Sequence, residues 1–206
     1  MTRKFLIATT NAGKAREIAR LFAGLPVRCV HLGEIDRDGE IPEAVEDGDT
    51  FEDNARIKAV HYAKATGLPT MAEDAGLEIP ILDCWPGVMS ARIAETDSER
   101  VALVLEKMKG KAGEEREARF VSVAAFYDPE TDELETFEGI VQGTLLEEPR
   151  GENGFGYDPI FWHPGFGKTL AELTTEEKNL ISHRGQSVRA LARWLKWSGW
   201  PMEELP

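Results

Sequence analysis

The sequence, 206 residues long, predicts an α/β protein. Three observations carry that prediction. A short apolar run near the start passes through a loop of small residues into an amphipathic helix. A well-capped helix further on leads directly into another apolar run. Two long β-rich runs then follow one another across a turn. Strand signals alternating with helical ones are the mark of this class.

Each element rests on its own residues. Phe5-Leu6-Ile7-Ala8 is a continuous apolar run of the kind that makes a buried strand. Thr9-Thr10-Asn11-Ala12-Gly13-Lys14 follows, after which Ala15, Ile18, Ala19 and Phe22 fall on one helical face. The N–H groups and positive dipole end of a helix start favour a phosphate, and Lys14 adds a full charge. The loop is not a Walker A sequence, because its first glycine and its Lys-Ser/Thr ending are missing. An ordinary N-cap by Thr10 or Asn11 would also account for it.

Val27 to His31 reads as a second strand, and residues 33–48 as an acidic, solvated loop. Thr50 is a helix N-cap with an acid three residues on. The helix runs to about Thr66, where Gly67-Leu68-Pro69 stops it. Asn54 and Lys58, four apart, share one face. Thr70-Met71-Ala72 then reads as a short strand running out into Glu73 and Asp74, with Gly76 close behind. Two acids side by side at a strand end repel each other. A hard cation such as Mg²⁺, shared with substrate phosphates, would relieve that repulsion. A solvated turn is the competing reading.

Residues 77–82 continue extended, pairing back on the preceding strand. Trp85-Pro86-Gly87 marks a turn, Ser90-Ala91-Arg92 an irregular link, and 98–108 a helix with Val101, Leu105 and Met108 inward. A charged loop over 110–117 precedes strands at 118–127 and 133–141, an antiparallel hairpin. In Gly151-Glu152-Asn153-Gly154-Phe155-Gly156-Tyr157-Asp158, three glycines allow close backbone approach to a ligand. Phe155 and Tyr157 there either face a planar base or tuck into the core. Pro159-Ile160-Phe161 is a short strand, and Thr174 or Thr175 caps a helical turn through Lys178. Ser182-His183-Arg184-Gly185 interrupts, and Val188, Leu191, Ala192 and Leu195 mark a last helix. His183 and Arg184 suit an anionic or carbonyl-rich ligand, and Trp194, Trp197 and Trp200 suit core or interface packing.

Composition narrows the function. Hydrophobic residues at 42% and charged residues at 30% describe a soluble globular chain. A net charge of −13 argues against a nucleic-acid partner, which needs a basic face, but leaves room for a local basic pocket. Cys29 and Cys84 have no metal-ligand spacing and predict no disulfide. Neither a secretory segment nor a membrane span is read, so a cytoplasmic location is expected.

Six motifs occur in register: Thr9 to Lys14, Thr50 to Lys58, Ala72 to Leu77, Pro86 to Arg92, Gly154 to Pro159, and Ser182 to Gly185. Together they make the chain resemble the inosine triphosphate pyrophosphatase family, from about Phe5 to Leu195. The resemblance implies one domain of two lobes around a long mixed sheet, with the substrate cleft between the lobes and a homodimeric assembly. It implies Mg²⁺-dependent hydrolysis of ITP, dITP and XTP to the monophosphate and pyrophosphate, which cleanses the nucleotide pool.

Residue by residue, the resemblance gives Thr9, Thr10, Asn11, Ala12, Gly13 and Lys14 to the triphosphate and Lys58 to phosphate oxygens. Asp74 becomes proton acceptor and metal ligand, with Glu46 and Glu73 as further metal carboxylates. Phe155, Gly156, Tyr157 and Asp158 border the base, Phe155 stacking on it, while Lys178, His183 and Arg184 read the purine edge. Where many bacterial relatives have Asp-Asp-Ser-Gly, this chain has Glu73-Asp74-Ala75-Gly76, so Ala75 offers the substrate its backbone alone. A Maf-like pyrophosphatase with another base preference and a non-catalytic nucleotide-binding module are the competing readings.

Overall fold

Alternation along the first strand sets up two layers of core at once. In the computed structural model, which describes residues 3–200 and only the backbone at Ala12 and Gly13, Phe5 and Ile7 face one apolar cluster and Leu6 the other. A period of two does this in any strand buried on both sides.

The chain runs β1 (Arg3–Ile7), α1 (Ala12–Leu21), β2 (Val27–His31), α2 (Leu32–Ile35), α3 (Phe51–Thr66), β3 (Thr70–Ile79) and β4 (Trp85–Pro86). Then come α4 (Asp97–Lys107), β5 (Glu117–Asp128), β6 (Glu133–Leu145), β7 (Phe161–His163), β8 (Lys168–Thr169), α5 (Thr175–Ile181) and α6 (His183–Trp197). Eight strands form one mixed sheet in the order β2-β1-β3-β5-β6-β7-β8, with β4 pairing β3 off that path. β1 is parallel to β2 and β3, which requires crossovers, and α1 and α3 lie in those connections. β4 runs antiparallel to β3, as β7 does to β6 and β8. The α/β expectation holds.

The chain divides into two units: Met1–Asp74 with Ser122–Glu138 and Arg184–Pro206, and Ala75–Val121 with Gly139–His183. In the first, α1 with the turn after it and α6 bring Ile18, Phe22, Val188, Leu191 and Leu195 onto Phe5 and Phe126. Asp128 is fully buried there, accepting from the Trp200 indole N–H at 2.7 Å and pairing with the Arg3 guanidinium at 3.0 Å. Trp194 packs beside this core, whereas Trp197 is 80% exposed. In the second unit, Leu77, Ile79, Val104, Met108, Phe120 and Phe161 form the core. Arg116, expected in a charged loop, is buried and donates to the carbonyls of Leu145, Leu146 and Met108.

Several local readings change. β3 is continuous for 10 residues, so Glu73 and Asp74 lie in mid-strand, and Glu78 and Ile79 pair with β4 instead of folding back. Asp158–Ile160 is a 3₁₀ turn, and the strand begins at Phe161. The interruption before the last helix shrinks to Ser182, since His183 already belongs to α6. A short helix, α2, occupies the start of the acidic loop.

Candidate active site

The loop after β1 is closed by its own side chains. Asn11 is the cap of α1: its Oδ1 accepts from the Lys14 N–H at 3.0 Å and its carbonyl from the Ala15 N–H at 2.9 Å. Thr9 Oγ1 in turn accepts from the Asn11 N–H at 3.2 Å. The side chains of Ala12 and Gly13 lie outside the described ones. Thr9, Thr10 and Lys14 line a cleft of about 230 Å³ together with Glu46, Lys58 and Glu73. Among the described residues Lys14 makes no side-chain ion pair. Burial pulls its ammonium below the usual lysine range, Glu73 opposing that shift and Arg184 and Lys58 adding to it.

Lys58 and Tyr62 of α3 line the same cleft. Thr50 Oγ1 accepts from the Asp53 N–H at 3.1 Å, and Gly67 ends the helix in the left-handed region at φ 69°. One turn in, the fully buried Asn54 grips the loop before it, accepting from the Gly48 N–H at 2.9 Å. A side chain at Gly48 would come within 2.6 Å of Asp53 Cβ, so this close approach requires glycine. The grip fixes the neighbouring Glu46. Lys58 Nζ lies 3.2 Å from Glu46 Oε2 and 2.8 Å from Asp74 Oδ1. Asp74 Oδ2 is buried with no hydrogen-bond partner. Burial raises the Asp74 carboxyl above the ordinary range, Lys58 working against the shift and Glu46 with it.

Mid-strand placement separates the two adjacent acids. Successive strand side chains point to opposite faces, so Glu73 and Asp74 find different partners and the repulsion expected of neighbours at a strand end does not arise. Glu73 accepts from Ser122 Oγ at 2.8 Å and from Arg184 Nε at 2.9 Å. The Ser122 and Ser187 hydroxyls lie 2.8 Å apart. Arg184 also donates from Nη1 to Glu17 at 3.0 Å, and its side chain is 3% exposed. Glu17 escaped the sequence reading. Its only local signal is a place three residues after Lys14 on α1, and its partner is 167 residues away.

The glycine-rich loop of the second unit forms a separate constellation. Asp158 Oδ2 accepts from the Phe155 N–H at 2.9 Å and from Lys178 Nζ at 2.6 Å. Lys178 Nζ also sits 4.4 Å from the centre of the Phe155 ring. Asp97 Oδ2 accepts from the Gly156 N–H at 2.7 Å. Phe155 is 44% exposed, whereas Tyr157 is buried, its hydroxyl donating to the Ser90 carbonyl at 2.6 Å. Burial pushes the Tyr157 hydroxyl up to about 12. Of the two aromatics, Phe155 presents a face and Tyr157 is core. The buried His183 ring stacks on Phe120 at 4.7 Å, and Ala75 is half-buried in β3.

Among the described residues no three His, Cys, Asp or Glu side chains gather as a metal cage. Mg²⁺ commonly takes only one or two carboxylates, leaving the rest of its shell to water and phosphate. Glu46 and Asp74, with one buried carboxylate oxygen lacking a hydrogen-bond partner, fit that pattern. Both oxygens of Glu73 already accept hydrogen bonds from Ser122 and Arg184.

Fold and cleft together define a mixed α/β protein whose cleft gathers lysines and acids beside the loop before a capped helix. The Ham1 family model matches residues 5–194, and the chain belongs to the Ham1 family. It is 49% identical to the dITP/XTP pyrophosphatase of Deinococcus deserti, over 92% of this chain and 88% of that protein. To a dITP/XTP pyrophosphatase of Thermus thermophilus it is 47% identical, over 91% and 89%. Among solved structures, a HAM1 protein from Coxiella burnetii aligns with a TM-score of 0.85 at 40% identity, covering 94% of this chain and 98% of that one. The nucleoside-triphosphatase / dITP/XTP pyrophosphatase from Mycobacterium abscessus aligns at 0.71 and 43% identity, covering 93% and 98%.

Proposed function

We propose that this chain hydrolyses non-standard purine nucleoside triphosphates (ITP, dITP and XTP) to the monophosphate and pyrophosphate. The observation that carries the reading is the Lys58 cluster: one ammonium shared by Glu46 and Asp74, beside a buried Asp74 oxygen without a partner, with Lys58 and Glu46 lining the cleft that Lys14 lines. The names of the relatives support the substrate class.

In this reading the triphosphate is held by residues of unit 1. The helix start from Thr9 to Lys14 and the Lys58 ammonium hold phosphate oxygens and offset charge on the departing pyrophosphate. Asp74 accepts the proton of the attacking water, a task helped by a carboxyl raised above its ordinary range. Glu46 and Asp74 would hold Mg²⁺, which when bound supplies Lewis-acid stabilisation and a water of lowered pKa. Glu73, paired with Arg184 and Ser122, is better suited to keeping Lys14 charged than to holding metal.

Phe155 stacks on the base, and the Asp158–Lys178 pair and His183 meet its polar edge. A donor facing the 6-oxo group favours inosine and xanthine, since the 6-amino group of adenine would leave two donors opposed. Guanine shares the 6-oxo group, so its rejection rests on the 2-amino group. Arg184, engaged by Glu17 and Glu73, supports the acid strand from behind. A cytoplasmic homodimer belongs to the same reading.

The test is pyrophosphate release from ITP, XTP, ATP and GTP at equal concentration, with Mg²⁺ and with chelator. Metal-dependent release from ITP and XTP, with little from ATP or GTP, is expected. Release spread over pyrimidine or modified nucleotides would favour a Maf-like preference, and ITP binding without any release a non-catalytic module.

A further inference from the structure

We propose that Lys58 is the resident counter-cation of Glu46 and Asp74, and that it must leave them before a divalent cation can enter. The inference rests on the metal reading above and adds an order of events to it. The Lys58 ammonium already occupies the place between the two acids, 2.8 Å from Asp74 Oδ1 and 3.2 Å from Glu46 Oε2. A Mg²⁺ ion binds such oxygens at about 2.0–2.1 Å. Ammonium and metal on the same oxygens would be like charges in near contact, in a setting where the Lys58 and Asp74 side chains are only 13% and 14% exposed. The two cations are therefore alternatives.

Beside that ammonium, Asp74 Oδ2 keeps no hydrogen-bond partner. The site is held ready for a metal, not satisfied. Lys58 lines the same cleft as Thr9, Thr10 and Lys14, and a lysine stem has the freedom to re-aim its charge. Its alternative partner is a phosphate oxygen, present only with the nucleotide. Nucleotide draws Lys58 off the acids, which opens them to metal, and metal frees Lys58 for phosphate. By linkage the two ligands must then bind with positive coupling. The free protein binds metal weakly, and a nucleotide recruits it.

Binding of Mn²⁺ to the full chain without nucleotide, read by electron paramagnetic resonance, tests this apart from turnover. Lys58→Met is expected to bind Mn²⁺ at least about tenfold more tightly than wild type, within the usual range of site coupling. Lys14→Met removes the same charge from the same cleft without touching either acid, and should change the affinity by less than about threefold. Equal tightening in both variants would reduce the effect to a general field and overturn the proposal, as would no tightening at Lys58. Should Lys58→Met not fold, the labelled Lys58 side-chain resonance in wild type must move as Mg²⁺ saturates, and a stationary signal overturns the proposal equally. Mn²⁺ bound alike by all three proteins sinks only the role of Lys58. No Mn²⁺ bound by any of them, with pyrophosphate release persisting in chelator, sinks the metal reading as well.

Discussion

Gly154 and Gly156 are both left-handed, at φ 79° and 61°, and alanine at each position separates two physical effects. At Gly156 nothing lies within 4 Å of an added Cβ, so Gly156→Ala meets only the backbone penalty, about 1–2 kcal/mol. At Gly154 the Cβ would lie 2.1 Å from Asp158 Oδ2, the atom that accepts from the Phe155 N–H and pairs with Lys178. Moving that carboxylate adds about 1–3 kcal/mol for a donor left unsatisfied. Separating the Lys178–Asp158 pair, whose side chains are 8% and 3% exposed, adds more, since breaking a buried pair costs about 3–5 kcal/mol in full. Gly154→Ala should therefore lose at least about 3 kcal/mol and Gly156→Ala about 1 kcal/mol. Urea unfolding of both variants measures the difference, and the KM for ITP should rise more in Gly154→Ala because Phe155 loses its anchor. Equal losses within about 0.5 kcal/mol would show that Asp158 does not organise this loop.

Asp74→Asn should lower turnover about 10²–10⁴-fold while ITP affinity stays within about tenfold, and unchanged turnover would remove Asp74 from proton transfer. The same variant carries a stability signature. A carboxyl raised in the fold binds its proton more tightly than in the unfolded chain, so the buried charge lowers wild-type stability as pH rises through the carboxylate range. Asp74→Asn should therefore unfold at a higher temperature than wild type at pH 7, with the gap closing at acid pH. Burial lowers the Lys14 titration, so kcat/KM should fall on the alkaline side before an ordinary lysine titrates, and Lys14→Arg should push that limb upward. Phe155→Ala should raise the KM for ITP by the loss of one stacked base, about 1–3 kcal/mol, and an unchanged KM would place the base elsewhere.

The elements legible in the sequence were those whose instructions are local. Thr50, Asp53 and Gly67 bracket α3 with a cap at each end, and β1 carries the apolar run Phe5-Leu6-Ile7. What stayed hidden depends on partners far along the chain. Glu73 and Asp74 read as a strand end because two acids do not resemble the middle of a strand. Ser122, Arg184 and Lys58, from three distant segments, make that middle tolerable. Tyr157 could not be told from Phe155 by composition, and the carbonyl of Ser90, 67 residues earlier, decides that it is core. The six motifs marked the family, but Arg184 as a clamp between Glu17 and Glu73 is visible only in three dimensions.

The first unit is assembled from three stretches of chain, and its Asp128 is sealed by Arg3 on one side and Trp200 on the other. During synthesis β1 leaves the ribosome before the other strands of the sheet, yet the buried guanidinium of Arg3 has no Asp128 carboxylate to meet until 125 further residues have followed. The indole that completes the cluster arrives 72 residues later still. Until then Phe5, Ile18 and Phe22 have no α6 to cover them. The second unit, whose last residue is His183, has all its parts earlier. Contacts this far apart in sequence are slow to close and leave apolar surface exposed in the meantime. A nascent chain halted before Trp200 should therefore engage a chaperone through its opening β1–α1 segment, and release it only when the last helix is out.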